Sequence, residues 1–89
     1  MKEPGTAFIF AASQVEADSF LESRGCDRAF GCWWDAKSGR RLVFLDRAAR
    51  LKPLSRPSVY SITGCERHPE YAAIRRIMQD RKAREVIYP

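Results

Sequence analysis

Ala7-Phe8-Ile9-Phe10-Ala11-Ala12 is an unbroken apolar run, and such a run predicts a strand buried on both faces at the centre of a sheet. Ser13-Gln14-Val15-Glu16 follows and matches the capping box, in which the serine hydroxyl accepts from the third helical amide and the glutamate reaches back to the serine amide. A helix therefore starts there. Ala17, Phe20 and Leu21 share one face of it, Glu16, Asp18 and Glu22 lie mostly away from that face, and Gly25 suits the left-handed position that ends a helix.

Further on, Phe30-Gly31-Cys32-Trp33-Trp34 reads as a short strand, Lys37-Ser38-Gly39 as a turn, and Arg41-Leu42-Val43-Phe44-Leu45 as another strand. The two runs form a hairpin, or the first is only a loop. Asp46 is placed to cap a single helical turn over residues 47–51, and the two prolines of Lys52-Pro53-Leu54-Ser55-Arg56-Pro57 forbid regular structure in a basic surface linker. Ser58 to Ile62 is the next strand, stopping at Thr63-Gly64. Pro69 fits the first turn of a second helix, whose stripe of Tyr71, Ile74, Ile77 and Met78 lies opposite Arg75, Arg76, Asp80 and Lys82. Val86-Ile87-Tyr88 predicts a last short strand. This order predicts an α/β fold: a tail over residues 1–6, then a single small domain over residues 7–89 with a four- to five-stranded, largely parallel sheet, two main helices and right-handed crossovers. Such a unit is a half-size Rossmann-like or flavodoxin-like domain.

Eighty-nine residues suffice for one domain, and 45% hydrophobic residues suffice for its core. No apolar run approaches the roughly 20 residues of a membrane helix, and Met1-Lys2-Glu3-Pro4 lacks a signal-peptide apolar region, so the expectation is a soluble cytoplasmic protein without a membrane partner. Cys26, Cys32 and Cys65 are an odd set at irregular spacing, which fits free thiols. The net charge of +5 is uneven: residues 1–39 carry four basic and six acidic side chains, residues 40–89 twelve and five, so the carboxyl half is +7. Arginine supplies twelve of the sixteen basic groups, and its planar fork suits phosphate and carboxylate partners. High-GC codon usage also favours arginine.

The layout over residues 7–88, and within it Leu51-Lys52-Pro53-Leu54-Ser55-Arg56-Pro57-Ser58-Val59-Tyr60-Ser61-Ile62-Thr63-Gly64 followed by a helix, resembles the short Rossmann-like accessory proteins scattered through phage genomes, especially of actinobacterial hosts. That resemblance implies a setting, the host cytoplasm, and no activity.

The chemistry-bearing residues suggest several sites. Arg40, Arg41, Arg47, Arg50, Lys52 and Arg56 form a basic stretch opposed only by Asp46, and Arg75, Arg76, Arg81, Lys82 and Arg84 form a second cluster. Adjacent Trp33 and Trp34 cannot share one face of a strand, so one is expected at the surface, where a tryptophan beside arginines has the composition of a protein-binding hot spot. The leading expectation is a non-enzymatic protein-interaction module using Arg40, Arg41, Arg47, Arg50, Arg56 and Trp34. A nucleic-acid binder tracking phosphates with the 40–56 stretch is the alternative. A third reading places a nucleotide or phosphate among Ser13, Gln14, Thr63 and Gly64, where strand ends and helix amides meet, although the dinucleotide-binding glycines and a Walker motif are missing. Cys26, Cys32, Cys65 and His68 are zinc-ligand types at the wrong spacing, Tyr71 stands where a phosphate-cradling cysteine loop needs arginine, and Asp35 and Asp46 have no convergent third group. No cofactor and no metal are expected. A sheet with only two helices leaves faces that self-association would cover, so a homo-oligomer is also envisaged.

Overall fold

The computed structural model describes residues 5–29 and 31–89; residues 1–4 of the expected tail, and Phe30 of the expected 30–34 strand, lie outside them. The order is β1 (Thr6–Phe10), α1 (Gln14–Ser23), β2 (Asp27–Ala29), β3 (Cys32–Trp34), β4 (Arg41–Phe44), a 3-10 turn (Ala48–Leu51), β5 (Ser58–Ile62), a shorter 3-10 turn (Cys65–Arg67), α2 (Tyr71–Asp80) and β6 (Arg84–Tyr88). β1 lies at the centre of the parallel part, with Phe8 level with Val43 of β4 on one side and Val59 of β5 on the other. β6 continues the parallel sheet beyond β5, while β3 and then β2 extend the other side antiparallel, giving the order β2-β3-β4-β1-β5-β6.

Among the described residues the sheet therefore has six strands, against the four to five expected from the sequence. The additional strand is β2. Its residues, Asp27, Arg28 and Ala29, are all exposed and carry no hydrophobic alternation, so β2 exists through its ladder with β3.

β1 feeds two cores by alternation, which is why its sequence is apolar without interruption. Ala7 and Ile9 pack under α1 with Ala17, Leu21, Trp33, Leu42 and Ile62, while Phe8 and Phe10 pack on the other face with Leu45, Leu51, Val59, Ile74 and Met78. Ile9 and Phe10 are fully buried, so truncating either to alanine costs about 2–5 kcal/mol. Trp33 lies in the α1 core with its indole Nε1 donating to Asp18 Oδ1 at 3.0 Å, and Trp34 points to the opposite face, 37% exposed.

Three local expectations are corrected. Ser13 caps α1 by accepting from the Glu16 amide at 3.3 Å, yet the Glu16 carboxylate turns to Arg67 instead of back to the serine. Asp46 caps nothing: the Ala48 amide that opens the 3-10 turn donates to Glu70 Oε1 at 3.0 Å, and Asp46 pairs with Arg50. Pro69 precedes α2 by two positions, with Glu70 at the N-cap. Among the described residues no helix is long and apolar enough to cross a membrane.

Candidate functional site

The four parallel strands share a direction, so the sheet has two unlike rims. At the amino-terminal rim, three segments remote in sequence converge. The 35–39 turn delivers Arg40 and Arg41 to the start of β4, the 52–57 linker delivers Arg56 to the start of β5, and Arg84 opens β6 level with Ser58. Backbone hydrogen bonds fix the arrangement: the Arg56 amide donates to the Arg81 carbonyl at 3.0 Å, and the Arg84 amide to the Pro57 carbonyl at 2.8 Å. One member of the second basic cluster, Arg84, thus joins members of the first at this rim.

A groove of about 770 Å³ opens there. Arg40, Arg41, Arg50, Arg56 and Arg84 line its sides, Phe8, Val43, Leu54 and Pro57 supply its apolar floor, and no acidic residue is among the described residues that line it. Arg50 reaches over the Phe8 ring, 5.9 Å from its centroid, and touches Asp46 at 3.4 Å. Arg40, Arg41, Arg56 and Arg84 form no ion pair among the described residues. The acid nearest in sequence to Arg40, Asp35, is occupied by its own turn. The Lys37 amide donates to it at 3.0 Å and the Ser38 hydroxyl at 2.9 Å, and these bonds hold its carboxyl below the ordinary value.

Arg56 has φ of 52°, in the left-handed region that costs a side-chain-bearing residue about 1–2 kcal/mol. Lys82, at the end of α2, has φ of 53°. Basic side chains thus hold two backbone positions that glycine would occupy with less strain.

Of the expected partner-binding residues, Arg40, Arg41, Arg50 and Arg56 come together. Trp34 stands opposite Arg41 across the β3–β4 ladder, and Arg41 stands level with Thr6 of β1, so Trp34, Arg41 and Thr6 form a row on one face that borders the groove. Arg47, at the N-cap of the 3-10 turn, does not line the groove, whereas Arg50, three residues on in the same turn, does. Arg84 is the member that the sequence reading assigned to the other cluster. Its position follows only from the β5–β6 register.

Ser13, Gln14, Thr63 and Gly64 do gather at the opposite rim. The chain leaves β1 through α1 toward the β4 side and leaves β5 through α2 toward β6, so the connections part between β1 and β5, the arrangement that makes a crevice in open parallel sheets. This crevice is spanned from within. Arg67 donates to Glu16 Oε1 at 2.8 Å across it, Gln14 donates to Asp18 at 2.9 Å, and the Thr63 hydroxyl lies 3.5 Å from the Tyr88 carbonyl. A carboxylate already stands in the first turn of α1, where the helix dipole would otherwise favour an anionic ligand.

The remaining candidates serve the fold. His68 is buried with Nε2 2.8 Å from the Leu45 carbonyl and Nδ1 accepting from the Glu70 amide at 2.9 Å, so the Nε2 proton is donated and neither nitrogen is left for a thiol or a metal. Burial pushes the Cys65 and Cys26 thiols up, the reverse of an activated nucleophile. Asp35 and Asp46 lie at opposite ends of β4. Among the described residues, no group of three or more His, Cys, Asp or Glu is placed to hold a metal ion. No protein-family model, curated protein or solved structure matches the chain.

Proposed function

We propose that this chain is a non-enzymatic binding module that takes an acidic segment of a protein partner into the arginine-lined groove at the amino-terminal rim. The observation that carries the proposal is the convergence of Arg40, Arg41, Arg56 and Arg84, without ion pairs among the described residues, around an apolar floor. Guanidinium groups recognise carboxylates in paired, directional hydrogen bonds. Phe8, Val43 and Leu54 beneath them suit a segment that mixes aliphatic with acidic side chains. A single-stranded nucleic acid calls for several exposed rings on which successive bases stack, and the one ring among the described residues that line this groove, that of Phe8, is buried under Arg50. Trp34 at the border adds the aromatic anchor of the interaction reading.

The proposal includes the setting that the resemblance implies, a phage accessory protein acting in the host cytoplasm. It also includes the finer fold reading. Counting only parallel strands, the order β4-β1-β5-β6 is second, first, third, fourth, which supports a flavodoxin-like layout one strand short.

The test is capture by the tagged chain with and without nuclease, beside titration of a fluorescent peptide of alternating Glu and Leu and an oligothymidylate of equal charge. The peptide is expected to bind, and the double reversal Arg41→Glu with Arg56→Glu to weaken it by about two orders of magnitude, as loss of clustered charge-assisted contacts does. Recovery of nucleic acid alone, with affinity falling steeply in salt, would transfer the groove to the nucleic-acid reading. A nucleotide that raises the melting temperature and is lost on substitution at Ser13 would move the site to the carboxyl-terminal rim.

A further inference from the structure

We propose that β6 is a self-association edge, at which two copies of this chain join their sheets through an antiparallel β6–β6 pair centred on Val86. The two lateral edges of the sheet are differently finished. β2 is three residues long with Asp27 and Arg28 in it, a short charged edge of the kind that discourages pairing. β6 is five residues long, has its charged residues Arg84 and Glu85 at its first two positions, and then presents Val86 and Ile87, 45% and 70% exposed, with no proline, lysine or bulge within it.

Hydrogen-bond parity picks out which backbone groups face outward. In a parallel pair, alternate residues direct both their N–H and C=O to the neighbour. The Arg84 amide donates to Pro57 in line with β5, so Arg84, Val86 and Tyr88 face β5, while Glu85 and Ile87 direct their backbone groups away from the sheet. A two-fold axis perpendicular to the sheet keeps each residue on its own face, so only registers that pair like parity continue the sheet.

Charge selects among them. Centring on Arg84 or on Glu85 sets a charge against its own copy, which destabilises a cross-strand pair. Centring on Ile87 runs Glu85 against Pro89, which has no N–H to give. Centring on Val86 sets Val86 against itself, Arg84 against Tyr88, and Glu85 against Ile87. Each Glu85–Ile87 pair then exchanges two hydrogen bonds, and all the outward groups of both strands are satisfied. The Glu85 carboxylate remains held by Ser61 and Arg75, so the Ile87 side chain of the other copy lies against a fixed, neutralised surface. A five-residue edge buries less than the about 1,600 Å² of a standard interface, so a dissociation constant on the order of 10–100 μM is expected.

Sedimentation equilibrium of the full chain is expected to give a monomer–dimer equilibrium in that range. Ile87→Pro removes an outward N–H and leaves the β5 ladder intact, and is expected to weaken the dimer at least about tenfold with an unchanged circular dichroism spectrum. Mild oxidation provides the second arm. Val86→Cys meets its own copy across the pair and is expected to cross-link, whereas Ile87→Cys lies two positions from its copy, beyond disulfide reach. The wild-type chain, with its own three half-buried cysteines, sets the background. A chain monomeric to about millimolar concentration, a dimer indifferent to Ile87→Pro in a folded variant, or equal cross-linking by the two cysteine variants would overturn the proposal.

Discussion

Gly64 at the carboxyl-terminal rim of the sheet and Arg56 at the amino-terminal rim both have positive φ, and the two are of opposite kinds. Gly64, at the carboxyl-terminal rim, has φ of 90°, and a Cβ there would stand 2.6 Å from the Arg67 guanidinium that reaches Glu16. Arg56, at the amino-terminal rim, has φ of 52° and a full side chain pointing into solvent beside Arg41 and Arg84. At the first rim the residue type suits the backbone, and the polar groups find partners within the chain. At the second the side chain is kept against the preference of the backbone, and Arg40, Arg41, Arg56 and Arg84 find no ion-pair partner among the described residues. Closure at one rim and unspent charge at the other is the contrast expected when folding is satisfied at the first and binding is served at the second.

Substituting the two positions breaks the contrast most strongly. Gly64→Ala is expected to destabilise by about 1–3 kcal/mol, because alanine is strained at that φ and its methyl displaces Arg67 from Glu16. Arg56→Gly is expected to do the reverse. Relief of the left-handed arginine outweighs the added freedom of glycine in the unfolded chain, and stability rises by up to about 1 kcal/mol while affinity for the acidic peptide falls. Urea denaturation of both variants beside the wild type reads the signs, and a loss of stability in Arg56→Gly would mean that the Arg56 side chain is held for the fold.

Glu85 sharpens the comparison because it pairs Arg75, a member of the second basic cluster that does not line the groove. Burial raises its carboxyl, but hydrogen bonds from Ser61 at 2.5 Å and Arg75 at 2.6 Å, with the Arg75 charge, outweigh that and hold it below the ordinary 4.5. A carboxyl with a depressed folded value contributes stability that is fully present above the unfolded value and lost as pH falls through the folded one. The stability difference between wild type and Glu85→Gln should therefore be largest near about pH 6 and shrink on acidification toward about pH 3. Denaturant midpoints measured across that range give the difference. A gap that is constant with pH would mean the pair is held by shape alone.

The parts of this design that are legible in the sequence are those written in neighbouring residues. The unbroken run of β1, the serine cap of α1 and the Tyr71–Ile74–Ile77–Met78 stripe each state their own structure locally. β2 does not, because three exposed residues become a strand only when β3 is beside them. The site divides in the same way. Arg40, Arg41, Arg50 and Arg56 are visible as a run, whereas Arg84 enters the groove through the pairing of β6 with β5, and the 3-10 turn brings Arg50 into the groove while Arg47, at its N-cap, stays out. The position of the crevice at Ser13 and Gly64 follows from strand grammar. Its occupation by Glu16 and Arg67, 51 residues apart, is a tertiary contact with no local signal.

The smallest effect expected is also the most direct comparison, since it changes one charge at each rim and reads the sign. The Glu16–Arg67 pair is exposed, with the two side chains 40% and 64% accessible, so its Coulomb energy is screened and Glu16→Gln should cost only about 0.2–1 kcal/mol, part of it from the favourable placement of the acid at the start of α1. Arg84→Gln removes a charge that has only like charges around it in the groove, so it should gain a few tenths of a kcal/mol at low salt, by relief of repulsion between neighbours. Salt should move the two variants toward each other. Screening weakens attraction at the carboxyl-terminal rim and repulsion at the amino-terminal rim alike, so both differences from wild type should shrink between about 20 mM and about 500 mM salt as the Debye length falls from about 20 Å to about 4 Å. Thermal melts at the two salt concentrations measure this. If Arg84→Gln is destabilising at low salt, the arginines of the groove are serving the fold, and the division of labour between the rims does not hold.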